Sequence, residues 1–144
     1  MGEEVLRVED LQTYFRTPHG LARAVDDVSF TVERGKTFAL VGESGCGKSV
    51  TALSVMQLVP RPAGYHAGGS IWVGDTEVTR LAENEKRRFR GNRVAMIFQD
   101  PMTSLNPVFT IGFQIVEAIR THRDVDKAEA WDQAEHMLRS VNIP

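Results

Sequence analysis

The chain has 144 residues, 42% of them apolar and 25% charged, which is the balance of a soluble globular protein with one ordinary core. A net charge of -2 argues against general nucleic-acid affinity, and a single cysteine, Cys46, excludes an internal disulfide or a multi-cysteine zinc site. No apolar run reaches membrane-span length, and four scattered histidines (His19, His66, His122 and His136) form no ligand cluster.

In chain order, "VLRVEDLQTYF" alternates as a strand that turns and starts a second one. "TPHGLA" is turn chemistry, and "AVDDVSFTV" alternates again before a tight turn at Gly35. "TFALV" is a short continuous apolar run, the pattern of a central strand buried on both faces. "VTALSVMQLV" has a helical period and stops before Pro60. "RPAGYHAGG" reads as a loop, and "SIWVGDTEV" as two short strands around the pair Gly74-Asp75.

"TRLAENEKRRFR" is helical in composition, and its basic continuation "KRRFRGNR" reads as a solvated face offset by the preceding "AENE". "RVAMIF" is a second buried strand. Two amphipathic helices follow. The first places Ile111, Ile115, Ala118 and Ile119 on one face, and the second offers Ala130, Ala134, Met137, Leu138 and Val141 for packing.

The decisive stretch is "GESGCGKS", Gly42 to Ser49, which matches the phosphate-binding pattern G-x-x-x-x-G-K-[ST] without interruption. Gly42 ends the preceding strand, while Gly45 and Gly47 allow backbone angles that a side chain resists. The amides of Gly42, Glu43, Ser44, Gly45, Cys46, Gly47, Lys48, Ser49 and Val50 can then turn inward around phosphate oxygens. The helix that begins near Lys48 aims its positive end at the same place. Lys48 supplies a mobile cation for the terminal phosphates, and the Ser49 hydroxyl can ligate magnesium. Cys46 fits as a small residue whose alkylation would disturb nucleotide binding.

A second stretch, "VAMIFQDPMTSLNP", ends an apolar run on Gln99 and Asp100. Taken alone it admits two readings, a carboxylate that holds magnesium or a glutamine that senses a nucleotide bound elsewhere. "AVDDVSFTVERGKTFALVGESGCGKS" resembles the entry to the ATP-binding subunit of an ABC transporter, and "VAMIFQDPMTSLNP" resembles that family's Q-loop in the dipeptide and oligopeptide (peptide/nickel) importer branch. The resemblance makes Gln99 the functional residue, a magnesium ligand and a sensor of nucleotide state. Asp100, followed by Pro101, then serves the turn rather than the Walker B position.

The resemblance implies an α/β P-loop NTPase core, incomplete in these residues, with an N-terminal antiparallel β subdomain and the start of an α-helical subdomain. Its division would fall at about residues 1–109 and 110–144. It further implies an aromatic ring against adenine, with Phe15 the better-aligned candidate and Tyr14 the second. Such a stack is worth roughly 1–3 kcal/mol. The implied cofactors are ATP and Mg2+. The implied partners are the transporter's membrane subunits, docked through Met102, Leu105 and Phe109, and a second ATP-binding subunit in a homo- or heterodimer. The setting would be peripheral, on the cytoplasmic face of the cell membrane, and the function would be ATP-driven import of peptides or similar small solutes.

No "LSGGQ"-like segment, no apolar run ending in Asp-Glu after Gln99 and no assignable switch histidine appear. The chain therefore reads as the N-terminal portion of a longer subunit that binds ATP weakly and hydrolyses none alone. The faces of "TFALV" and "RVAMIF" would then be exposed. The rival readings are a small P-loop kinase and a non-catalytic nucleotide- or partner-binding protein. The kinase would need an arginine-rich lid where "RPAGYHAGGSIWVGDTEV" shows turn and strand instead.

Overall fold

The computed structural model describes residues 2–99 and 104–143, and the chain divides into two compact units, residues 1–94 and 95–144. The first unit is built on a four-stranded antiparallel sheet in the order β2-β1-β3-β4, with β1 at Glu4–Thr17, β2 at Gly20–Glu33, β3 at Gly64–Val73 and β4 at Thr76–Glu77. Helix α1 (Lys48–Val55) follows the glycine-rich loop, a 3-10 turn spans Val78–Arg80, and α2 spans Glu83–Phe89.

The turn chemistry lands where the sequence puts it. Thr17 and Gly20 close the β1-β2 hairpin around Pro18-His19, with the Thr17 hydroxyl donating to the Gly20 carbonyl at 2.8 Å. Gly74-Asp75 connects β3 to β4, and Gly74 takes the left-handed φ of +54° that such a turn requires.

The expected turn inside "VLRVEDLQTYF" is absent, because β1 runs unbroken as a 14-residue strand paired on both sides. The polar "ED" marks a bulge instead: Asp10 adopts φ +47° opposite Gly69 at φ +82°. The Ser29 hydroxyl fixes it by accepting from the Asp10 amide at 2.8 Å and donating to Asp10 Oδ1 at 3.0 Å. A side chain at Gly69 would meet the Asp10 carbonyl oxygen at 2.3 Å, so this crossing needs glycine. The expected loop "RPAGYHAGG" is likewise corrected. From Gly64 onward it belongs to β3, where Tyr65 pairs with Tyr14 and His66 with Thr13.

The core of this unit gathers Val8, Leu11 and Val25 from β1 and β2, Ile71 and Val73 from β3, Val55 from α1, and Val78 and Phe89 beyond them. "KRRFRGNR" is not simply a solvated face. Lys86 and Phe89 are buried, and the Arg90 guanidinium turns onto backbone carbonyls after α1. The Lys86 charge lies close enough to His66 that, with desolvation as the larger cause, it holds the imidazole below its ordinary pKa, with Glu77 opposing.

"TFALV" and "RVAMIF" form no strand, which corrects the buried-strand expectation. Val41 is 88% exposed and Ile97 96% exposed, and no described neighbour offers either segment a ladder. Phe38 alone of the first segment finds a stacking partner, Phe30 on β2, with ring centroids 4.8 Å apart.

In the second unit, α3 spans Ile111–His122 and α4 spans Lys127–Ser140. Thr110 caps α3 by accepting from the Phe113 amide at 3.3 Å, and Asp126 caps α4 by accepting from the Glu129 amide at 2.9 Å. The buried face is Val116 and Ile119 against Ala130 and Ala134, with Ile115 and Val125 beside them. Ile111 and Ala118 are exposed, as are Met137 and Val141, so the buried stripe on each helix is narrower than its apolar pattern. Among the described residues no helix is long and apolar enough to cross a membrane.

Candidate functional site: the phosphate loop and its helix

Residues Gly42 to Ser49 form an open loop that runs straight into α1, with Gly47 at the N-cap and Lys48 the first helical residue. Gly45 and Gly47 hold φ of +83° and +94°, a region that costs an L-residue roughly 1–2 kcal/mol. They differ in surroundings. A Cβ on Gly45 would meet nothing, whereas one on Gly47 would lie 2.3 Å from the Ala24 carbonyl oxygen of β2. Gly47 is therefore glycine for two reasons, a left-handed turn and close contact with the sheet. At Gly42 a Cβ would press on Cys46 Sγ at 2.6 Å.

The Lys48 side chain folds across this loop. Its ammonium donates to the carbonyls of Gly42 at 2.7 Å and Glu43 at 2.6 Å, and lies 3.5 Å from Cys46 Sγ. A full positive charge is thus held at the N-terminal end of α1, where the helix dipole already favours an anion. Cys46 is exposed, and Ser49 presents its hydroxyl from the first helical turn at an exposed position. A cleft of about 230 Å3 adjoins the loop, lined by Asp26, Leu40, Val41, Cys46, Lys48 and Thr51 among others.

These groups fit ATP with Mg2+. One hard oxygen donor on the first turn suits a cation that takes most of its ligands from phosphates and water. Among the described residues no cluster of His, Cys, Asp and Glu competes as a metal site.

The two aromatic candidates part company. Phe15 lies on the same side of β1 as Thr13, whose hydroxyl meets Ser54 of α1 at 2.8 Å, and its ring packs on Gly64 near Val59. Tyr14 points to the other face, where its hydroxyl donates to Asp26 Oδ1 at 2.5 Å, its ring stands edge-on to Tyr65, and Arg23 covers it at 5.6 Å. That hydrogen bond raises the Tyr14 pKa and lowers that of Asp26, which the Arg23 guanidinium also contacts.

Gln99 is exposed and lies in the second unit, while Asp100 and Met102 fall outside the described residues. Leu105 and Phe109 are both exposed on the loop before α3. Gln114 organises that loop, accepting from the Asn106 amide at 2.8 Å and donating to the Asn106 and Phe109 carbonyls at 3.0 and 3.1 Å.

Sequence reasoning missed the anchors of α1. Thr51 Oγ1 donates to the Gly47 carbonyl at 3.0 Å, Thr13 and Ser54 meet through their buried hydroxyls, and Arg90 grips the far end. None has a local signature, since each partner is distant in sequence or pairs through backbone.

Comparison with known proteins agrees with this geometry. Residues 25–144 match the family model described as ABC transporter. The chain is 48% identical to a probable peptide ABC transporter ATP-binding protein of Sinorhizobium fredii, over 96% of this chain and 42% of that protein. It is also 48% identical to the oligopeptide transport ATP-binding protein AppD of Bacillus subtilis, again over 96% of this chain and 42% of the relative. The chain thus spans about two-fifths of the length of these relatives. Among solved structures, a dimeric ATP-binding cassette in a post-hydrolysis state bound to ADP and Pi superposes with a TM-score of 0.76 at 16% identity, over 93% of this chain and 56% of that one. CbiO1 of Clostridium perfringens, part of an ABC transporter complex, superposes with a TM-score of 0.68 at 20% identity, over 98% of this chain and 51% of the other. The four-stranded antiparallel sheet, the glycine-rich loop and the helices are accordingly part of a P-loop NTPase core, and the chain belongs to the ABC transporter family.

Proposed function

We propose that these residues bind the phosphates of ATP, as part of a subunit whose ATP hydrolysis powers import of peptides or similar small solutes. The observation that carries this reading is the Lys48 ammonium held at the mouth of a left-handed glycine loop on the N-terminus of α1. The amides from Gly42 to Val50 cradle the phosphate oxygens, and Lys48 neutralises the charge of the terminal phosphates. Ser49 holds magnesium, with Gln99 as its second protein ligand and the reporter of nucleotide state. Magnesium held there would supply positive charge that offsets the charge of the phosphates.

Phe15 is the favoured base platform, because Tyr14 is tied to Asp26 on the opposite face of β1. The names of the relatives support peptide transport, and the dimeric solved cassette supports pairing with a second ATP-binding subunit; a peripheral place on the cytoplasmic face of the membrane and assembly with membrane subunits complete the proposal. The loop carrying Leu105 and Phe109 is the surface offered to the membrane subunits. The first functional division covers about residues 1–109 and the second 110–144. Within residues 1–144 no Asp-Glu pair ends an apolar run, so this chain binds ATP without turning it over.

Isothermal titration with magnesium and ATP tests this reading. Saturable binding weakened at least about tenfold by Lys48→Ala is expected, together with no phosphate release. Turnover that Lys48→Ala abolishes would overturn the claim of inactivity, and equal binding by both proteins would overturn the assignment of the site.

A further inference from the structure

We infer that Arg90 is a positioning residue for the phosphate loop, acting through the opposite end of α1. The helix does not end on glycine. Gln57 takes the left-handed φ of +54° just past it, with the Leu58 amide returning to the Leu53 carbonyl at 2.8 Å and the Gln57 amide to Ser54 at 3.0 Å. This double closure is the usual glycine-ended helix stop, built here on a residue that resists it. Arg90 supplies the compensation. Its Nε donates to the Met56 carbonyl at 2.9 Å and its Nη2 to the Gln57 carbonyl at 2.5 Å, while Nη1 faces Glu83 at 3.4 Å. The guanidinium thereby satisfies carbonyls at the negative end of the helix dipole, and its side chain is only 21% exposed.

Arg90 is itself held in place. It follows α2, whose Phe89 sits in the core, and a tight turn closes behind it, with the Arg93 amide on the Phe89 carbonyl at 2.9 Å and the Gly91 amide on Val94 at 2.8 Å. Because α1 has only eight residues, what fixes its last carbonyls also fixes the direction in which Lys48 and Ser49 leave the first turn. The role rests on the nucleotide reading given above.

Two measurements on the 144-residue chain test it. In titration with magnesium and ATP, Arg90→Ala is expected to weaken binding roughly tenfold, the scale of a small misplacement of a binding group. Arg90→Ala combined with Gln57→Gly should recover most of that loss, because glycine holds the left-handed stop without the clamp. Val78→Ala, a core truncation outside the loop and α1, should lower stability while leaving affinity unchanged. A structural role alone predicts that affinity follows stability across all three variants, and that result overturns the inference.

Amide hydrogen exchange reads the geometry without nucleotide. Faster exchange at Thr51, whose amide bonds the Gly47 carbonyl at 2.8 Å, supports positioning along the whole helix. Acceleration confined to Met56, Gln57 and Leu58 overturns it. If the wild-type chain and Lys48→Ala bind ATP alike, the nucleotide reading fails, whereas binding that Arg90→Ala leaves intact removes only the role of Arg90.

Discussion

Gly45 and Gly47 look equivalent in the motif and are not equivalent in the structure. Both carry positive φ, but only Gly47 lies against backbone, with Ala24 carbonyl oxygen 2.3 Å from where a Cβ would sit. Gly45→Ala should therefore cost only the conformational term, roughly 1–2 kcal/mol. Gly47→Ala adds a clash that side-chain rotation cannot relieve, because the obstacle is a strand carbonyl. It should cost more than about 2 kcal/mol. Urea unfolding of the two variants, followed by far-ultraviolet circular dichroism, separates the cases; equal losses would refute the close contact. The same contact explains how the loop is aimed, since the N-cap of α1 rests on β2 at that point. Lys48 adds electrostatic order from the other side, its ammonium tying the Gly42 and Glu43 carbonyls together. The residue types of this loop were legible in the sequence because each motif position meets a local backbone requirement. The distinction between the two glycines was not, because it depends on a strand some twenty residues upstream.

At the level of elements, α1 is docked by polar groups as well as by Val55. Ser54 donates its single proton to the Val50 carbonyl at 2.7 Å, so Thr13 must donate to Ser54 across the 2.8 Å contact. The two positions should then respond unequally. Thr13→Val deletes a buried donor and keeps its shape, at a cost of about 1 kcal/mol. Ser54→Ala leaves the fully buried Thr13 hydroxyl without its acceptor and should cost about 1–3 kcal/mol. Chemical denaturation of both variants checks the order, and a larger loss for Thr13→Val would reverse the assigned donor. The hairpin turns at Pro18-His19 and Gly74-Asp75, the presence of the helices and the phosphate loop could be read from the sequence, because turn residues and apolar periods act locally, but α1 stops at Val55 rather than just before Pro60. Other elements escaped for physical reasons. Asp10 and Gln57 enter left-handed backbone under tertiary constraint, from the Ser29 hydroxyl in one case and the Arg90 clamp in the other. Lys86 is buried although its neighbours in sequence face water, because it shares the inward face of its helix with Phe89, which joins the core.

Considered as a whole molecule, the chain leaves apolar surface that neither unit absorbs. The first unit closes its core around the antiparallel sheet, and the second closes a smaller one around Val116, Ile119, Ala130 and Ala134. Phe38, Leu40 and Val41 remain exposed in the first, and Ile97 and Phe98 in the second. These are also the two segments whose continuous apolar pattern predicted buried strands, so pattern and environment conflict at the same places. Exposed apolar side chains on segments that join no described sheet invite pairing with another chain. The 144-residue chain should accordingly self-associate as its concentration rises, observable by sedimentation velocity and by binding of a hydrophobic dye. Val41→Lys and Ile97→Lys together should suppress that association without lowering the unfolding midpoint, because at 88% and 96% exposure neither side chain supports its own core. Lysine is apt because a charge on an open edge opposes pairing in either direction. A wild-type chain that stays monomeric and binds no dye would show that these segments are covered in solution. A double variant that loses its fold would show that these side chains support a core in solution.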